Sequence, residues 1–296
     1  MSWLVDLSGV LLNGVAAGLL LFMTAVGLTI VFGLLDVLNL AHGAFFLTGS
    51  YVGYRIAGEA TATWGGFGLS LLVAVALGAL MGVALMLLCR PLVSRGHMDQ
   101  ALLTLGLALV VSELLLEVFG RNDHAMATPP ALSGSVGIFG AQYPVYRLGV
   151  IVLGAVVAAA VWYTLERTSA GALIRATVAD REMVEAVGVD VRKVTLVTFV
   201  AASVLALVAG VLSAPIKGAS AGLGDETLLL ALAVIVIGGM GSVVGTLVGS
   251  LLIGVVQNLG AVLVPQLGSF LLFGAMVLVI VFRPQGLFPR LAAVQR

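Results

Sequence analysis

Three polar residues stand three apart in an otherwise apolar run, LLDVLNLAHGAFF (34–46): Asp36, Asn39 and His42. On a helix they share an arc of about 120°. A charge at mid-bilayer costs about 2.5–3.5 kcal/mol on insertion scales, so such residues do one of two things. They tie helices together through hydrogen bonds, or they line a path for a polar solute. A neutral imidazole and an amide can each donate and accept a hydrogen bond, which suits transient contact with a polar solute. Gly43 follows at once and lets another backbone approach. Glu113 and Glu117 lie four apart in VVSELLLEVFG, with Gln100 and Thr104 earlier in that segment and Gln257 and Asn258 in a later one. The candidate translocation path is therefore Asp36, Asn39, His42 and Glu113, with interhelical bracing as the standing alternative.

Other chemistries find little support. GASAG (218–222) matches Gly-x-Ser-x-Gly, but a nucleophile elbow needs a strand–turn–helix setting and a later histidine. Here His42, His97 and His124 all precede it. Neither lysine, Lys193 or Lys217, completes Gly-x-x-x-x-Gly-Lys-Ser/Thr, so the chain is not itself a P-loop ATPase. Cys89 is the only cysteine, which leaves no intramolecular disulfide and no thiolate metal cage. No catalytic residue, cofactor or metal site is expected. With zero formal net charge and no basic cluster, no nucleic-acid partner is expected either.

The elements that must position these residues are membrane helices. Of 296 residues, 61% are hydrophobic and 9% charged, and the mean hydropathy is +1.20. A soluble domain has about 25% charged residues. Apolar segments fall at about 8–35, 40–57, 67–89, 98–119, 148–165, 194–215, 227–239, 243–264 and 268–282. A helical span takes about 20 residues, and the period-two alternation of a β-barrel is absent. The fold class is all-α: a polytopic membrane helix bundle of about eight or nine segments, one domain over 1–296. Segments 40–57 and 227–239 are short or polar, as expected of tilted, broken or re-entrant elements. The N-terminal stretch lacks a basic n-region and carries Asp6, so it reads as the first membrane helix rather than a signal peptide.

Basic residues set the orientation. Arg90 and Arg95, five residues within 167–193, and Arg283, Arg290 and Arg296 fall on one side, read as cytoplasmic. Arg55, Arg121, Arg147 and Lys217 fall on the other, with the N-terminus and the loop 120–147, whose Pro129-Pro130 pair and Gly and Ser content predict an irregular surface. Small residues recur four apart at Gly14/Gly18, Gly78/Gly82 and Gly241/Gly245/Gly249, a pattern for close helix packing. GGMGS (238–242) breaks the preceding short helix. A five-letter echo links GSYVG (49–53) to GSVVG (241–245), a hint of the inverted repeats found in transporters.

The run RTSAGALIRATVADREMVEAVGVDVRK (167–193) holds nine charged side chains, in a chain with only 14 Lys and Arg and 14 Asp and Glu. It reads as two short water-facing helices: Ser169 caps the first, Asp180 the second, and Gly188 stops it. Met183, Val184 and Val187 form an apolar stripe on the second, fit for a partner's groove. Mixed charge argues against a membrane surface, which selects Lys and Arg without the acids. A plain solvated loop is the alternative.

Together with GLTIVFGLLDVLNLAHGAFFLTGSYVGY (27–54) and IVIGGMGSVVGTLVGSLLIGV (235–255), this run resembles the LivH-type inner-membrane permease family of branched-chain amino-acid ABC transporters, over roughly 10–290 in the same order. The resemblance implies that 167–193 is the coupling loop that docks on an ATPase. The family pattern is met by Gly171, Arg175, Ala176, Asp180 and Gly188; Val184 stands where alanine is frequent. It further implies half of a translocation path in the bacterial inner membrane. A second homologous permease subunit, two cytoplasmic ATPases and an extracytoplasmic substrate-binding protein would complete the importer. The cargo expected is a branched aliphatic amino acid, with urea, amides or other amino acids as alternatives. The rival reading is a stand-alone secondary transporter or channel, which would need a coupling group such as Asp36 or Glu113.

Overall fold

The computed structural model describes residues 2–35, 39–58, 63–92, 96–138, 141–265, 274, 276–279, 281–283 and 286–288. In chain order the elements are α1 (Ser2–Leu35), α2 (His42–Ala57), α3 (Trp64–Cys89), α4 (His97–Phe119), β1 (Ser135–Ile138), β2 (Ala141–Pro144), α5 (Val145–Arg167), α6 (Ser169–Ala179), α7 (Arg181–Ala186), α8 (Val191–Lys217), α9 (Leu223–Gly238) and α10 (Val243–Leu263). The all-α reading holds, with one small hairpin added.

Six helices are long and apolar enough to cross a membrane: Leu7–Phe32, Trp64–Leu92, Met98–Phe119, Val145–Arg167, Val191–Lys217 and Val243–Leu263. α2 and α9 have 16 residues each. At about 1.5 Å per residue that is about 24 Å, short of the ~30 Å hydrocarbon core. The eight or nine apolar segments thus resolve, among the described residues, into six full-length helices and two short ones. The ninth, 268–282, falls largely outside the described residues.

α1 is the hub. Its most apolar window is 78% buried, against 11% for α4, so α4 presents leucines and valines outward while α1 is enclosed. The small-residue rows explain how helices close on α1 without a hydrophobic drive between them. Gly14 and Gly18 receive the backbone of α10 at Val255 and Leu251; a methyl group added to Gly18 would come within 2.8 Å of the Ser250 carbonyl oxygen. Gly78 and Gly82 of α3 receive Val204 and Val200 of α8 in the same way. Cross-helix hydrogen bonds add to the packing: Thr29 Oγ1 to Thr246 Oγ1 at 2.9 Å, Ser50 Oγ donating to Gly210 O at 3.1 Å, and Tyr146 Oη donating to Leu212 O at 2.8 Å.

These pairings expose an inverted repeat. α1 lies antiparallel on α10, and α8 antiparallel on α3; α2 packs against α3, and α9 against α10. The short helices meet reciprocally. Gly43, second in α2, faces the Gly224 carbonyl and Leu228 Cβ; Gly224, second in α9, faces the Gly43 carbonyl and Leu47 Cβ. So α1–α3 corresponds to α8–α10 with reversed direction, and the Gly43–Gly224 contact sits at the crossing. The echo of GSYVG in GSVVG pairs other positions: the first lies inside α2, whereas the second spans the turn into α10. It is a coincidence of letters, although a repeat exists.

The basic residues segregate. α3 ends and α8 begins at the end that carries α6 and α7, while Tyr54 stacks on His124 at the opposite end with a ring-centroid distance of 4.3 Å. There the 120–147 loop is more ordered than its composition predicts. β1 and β2 pair antiparallel with Val136 opposite Tyr143, and His124 exchanges two backbone hydrogen bonds with Ala219 at 2.9 and 2.8 Å.

Gly43→Ala should destabilise the protein by about 1–3 kcal/mol through overpacking, because the new methyl group would also meet Leu228 Cβ at 2.8 Å. Gly68→Ala, with nothing within 4 Å, should be neutral or stabilising by about 0.5–1 kcal/mol. Thermal unfolding of the two detergent-solubilised variants checks the contrast.

Candidate functional site

The hairpin between α5 and α8 is fastened at each joint. α6 is capped by Thr168, whose Oγ1 accepts from Gly171 N at 3.4 Å and donates to Thr164 O at 2.6 Å. The cap is thus one residue earlier than Ser169, because Thr168 is the last extended residue and Ser169 already opens the helix. Gly171 lies against the Leu165 carbonyl with no room for a side chain. Arg175, one turn on, donates to that same carbonyl and lies 3.8 Å from the Glu166 carboxylate. A guanidinium at the end of α5 satisfies a carbonyl that the helix leaves open and complements its dipole. Gly171 and Arg175 together fix the angle between α5 and α6.

Asp180 caps α7, accepting from Met183 N at 2.9 Å, and Gly188, at φ +87°, follows its end. Ala176 O accepts the Asp180 N–H at 2.9 Å, which closes α6. Asp190 caps α8, accepting from Arg192 N at 3.1 Å and Lys193 N at 3.4 Å. Slight desolvation raises its carboxyl, but the hydrogen bonds and charge of Lys193, with the Arg192 amide, outweigh this and hold it below its ordinary value. A lowered carboxyl stabilises the fold above its unfolded pKa and loses that contribution as pH falls through the folded value. This joint is intact at neutral pH.

The expected stripe on α7 divides. Val184 is 8% exposed and faces inward, whereas Met183 and Val187 are 63% and 74% exposed. Residues 183 and 184 are about 100° apart on a helix and cannot share a narrow face; the i, i+4 pair Met183/Val187 is the outward one.

Asn39 and His42 are brought together at the start of α2, where His42 N donates to Asn39 O at 3.3 Å. Asn39 Oδ1 accepts from Ala41 N at 3.2 Å, and Thr104 Oγ1 accepts from Leu40 N at 3.2 Å. The imidazole is fully buried; Nε2 donates to Thr24 O at 2.8 Å, and Nδ1 has no partner among the described residues. Glu113 stands apart on α4, exposed and paired with Arg121 at 3.2 Å. Asp36 lies outside the described residues. Of the packing glycines, Gly245 meets Gly238 and Gly249 meets Val234 O at the α9–α10 crossing. Gly241 instead forms the turn before α10, at φ +75°.

A cavity of about 250 Å3 lies elsewhere, among α1, α5, α8, α9 and α10 at the end opposite the hairpin. Its rim carries Arg147, which donates to Asn13 Oδ1, and an ion pair of Lys217 with Glu226 at 3.5 Å. Its floor includes Leu20, Phe46 and Leu230, all buried. None of the expected path residues lines it. The sequence signal was present but unused: Asn13 inside an apolar run, Glu226 opening a short one, and Arg147 and Lys217 read only for orientation.

Residues 10–281 match the family described as the permease component of the branched-chain amino acid transport system. The chain belongs to that family. It is 28% identical over 298 residues, 95% of each chain, to the high-affinity branched-chain amino acid transport system permease protein BraD of Pseudomonas aeruginosa. It is 24% identical over 291 residues, 94% of each, to the corresponding LivH of Escherichia coli. It is also 28% identical over 246 residues to the ribose import permease protein RbsC of Escherichia coli, covering 79% of this chain and 72% of that one. No solved structure matches. With its six apolar helices, this permease is a multi-pass protein of the bacterial inner membrane.

Asp180→Ala should cost α7 about 0.5–2 kcal/mol of capping, read as faster hydrogen exchange at the Met183 amide. Asp180→Asn should keep protection near wild type.

Proposed function

We propose that this permease forms half of the translocation path of an ATP-driven importer for branched-chain or related amino acids. Its partners are a second, homologous permease subunit, two cytoplasmic ATPase subunits and an extracytoplasmic binding protein. The observation that carries the reading is the α6–α7 hairpin. It displays an apolar pair, Met183 and Val187, on a charged element bound rigidly to the ends of two membrane helices. A free loop has no use for such a pair, whereas a groove on a partner does.

The mechanism follows from the joints. Closure of the ATPases pushes on α7; Arg175, Gly171 and Asp190 pass the displacement to α5 and α8 as rigid bodies. These helices tilt against α1, and access moves from one face of the membrane to the other. ATP hydrolysis belongs to the partner subunits, and the permease supplies only the path. Similarity to both branched-chain amino acid and ribose permeases supports the importer over a stand-alone transporter. It leaves the cargo to the binding protein and the path lining, with a branched aliphatic amino acid as the first choice and urea or amides as the alternative. In this reading Asn39 and His42 serve the path by holding the start of α2 in place.

Met183→Asp with Val187→Asp should leave membrane insertion unchanged and abolish copurification of the ATPase. Each buried aliphatic side chain contributes about 1.5–3 kcal/mol, and every 1.4 kcal/mol is tenfold in affinity. Uptake should fall at least about tenfold. Retention of ATPase and uptake in that variant would reduce the hairpin to a solvated loop. In a Cys89→Ser background, Met183→Cys should be shielded from an impermeant thiol reagent in intact cells while Ser133→Cys reacts; the reverse pattern would overturn the orientation.

A further inference from the structure

We propose that the cavity at the end opposite the hairpin is a binding site for one free aliphatic α-amino acid, contained within a single permease subunit. The proposal rests on the importer reading for its cargo and orientation, but its evidence is separate. The volume, about 250 Å3, is on the scale of one free aliphatic amino acid. It falls just below the roughly 300–1,000 Å3 of sites for drug-sized ligands.

The lining is divided by chemistry. Two cations, Arg147 and Lys217, and one anion, Glu226, stand at the rim. The Lys217 and Glu226 side chains are 34% and 54% exposed, so this side of the cavity is wet. Leu20, Leu230 and Phe46, below, are 6%, 8% and 3% exposed, so the floor is dry. A zwitterion with a branched side chain matches both halves. Its carboxylate meets Arg147 and Lys217, its ammonium meets Glu226, and its alkyl group packs on the leucines and phenylalanine. Binding exchanges the existing Lys217–Glu226 pair for two pairs, Lys217 with the carboxylate and Glu226 with the ammonium, and brings Arg147 to the carboxylate as a second cation.

An independent mark of a ligand is Thr227. The residue lines the same cavity and is 3% exposed; its hydroxyl is itself buried and has no hydrogen-bond partner among the described residues. A buried orphan hydroxyl costs about 1–3 kcal/mol, and rotation of the Thr227 side chain would let it donate to a ligand carboxylate within the cavity. Neither a neutral amide nor a sugar would use both signs of charge at the rim.

The assigned orientation opens the rim to the face on which the binding protein docks. The cavity thus holds the amino acid just released, before the path opens inward. Because α5 carries Arg147 and α8 carries Lys217, tilting these two helices separates the carboxylate ligands and ejects the cargo.

The test is cysteine protection in the intact transporter, in proteoliposomes with outward-facing rims. The probes are Gln257→Cys and Ala17→Cys, each in a Cys89→Ser background, so that failure of one to assemble leaves the other. Both should react with a small impermeant thiol reagent. Millimolar L-leucine should slow labelling at least fivefold, whereas isovalerate and isobutylamine, each missing one charge, should not. Glu226→Gln should raise the leucine concentration needed at least tenfold.

Wild-type leucine uptake in the same vesicles separates the two readings. Uptake without protection overturns this site and leaves the importer standing. Protection without uptake supports the site and removes leucine as cargo. No labelling from outside, or equal protection by the single-charge analogues, overturns the site.

Discussion

Two helices, α2 and α9, are too short to cross the membrane, and the rest of the bundle answers to that. A helix leaves four backbone N–H groups without partners at its start. Lipid supplies none, and each unsatisfied group costs several kcal/mol there. α2 therefore starts against protein: Asn39 and Thr104 accept the N–H groups of Ala41 and Leu40, and the His42 ring holds α1 at Thr24. α9 starts against α2 itself, glycine to glycine. Both helices can be short because their neighbours α1 and α8 span the full thickness beside them. Small-residue rows then let α10 and α3 close on those two spans, and the inverted repeat is the outcome of meeting one constraint twice.

The same geometry makes long levers. α5 and α8 have 23 and 27 residues, about 35 and 40 Å at about 1.5 Å per residue. Their near ends are welded into one hairpin by Arg175, Thr168 and Asp190. Their far ends carry Arg147 and Lys217. On the importer reading, a push of a few ångströms at α7 reaches the cavity rim without any side-chain relay, because packed helices move as units and their interfaces shift between discrete arrangements. Pro215, inside α8 near its far end, lacks the N–H that would continue the ladder there.

Composition and apolar runs made the helices legible, including the two that are too short to cross, because membrane burial writes itself into local sequence. Capping was legible where a single side chain does the job, as at Asp180. It slipped by one residue at Thr168 and Ser169, both competent caps, where backbone geometry alone decides. Glycine spacing marked Gly14, Gly18, Gly78, Gly82, Gly245 and Gly249 as packing positions, yet Gly241 continues the same row and forms a turn. Periodicity does not register where a helix begins. The outward choice of Met183 and Val187 over Val184 depends on how α6 presents α7 to α8. The cavity was least legible: Asn13, Arg147, Lys217 and Glu226 are scattered over more than 200 residues and converge only through packing.

That separation between packing and lining explains how one architecture can serve unlike cargoes. The chain is 28% identical to a ribose permease over 79% of its length and 28% identical to a branched-chain amino acid permease over 95%. The apolar and small residues that assemble a bundle in lipid are indifferent to what passes. Cargo is discriminated by few groups, since a buried polar atom left unpaired by the wrong ligand costs more than a lost apolar contact. At the proposed site those groups carry charges of both signs above an aliphatic floor. A polyol would offer no charge to Arg147, Lys217 or Glu226 and would wet Leu20 and Leu230. A zwitterion with a branched side chain satisfies the charges and keeps the leucines dry, so the lining favours the amino acid where the framework is neutral.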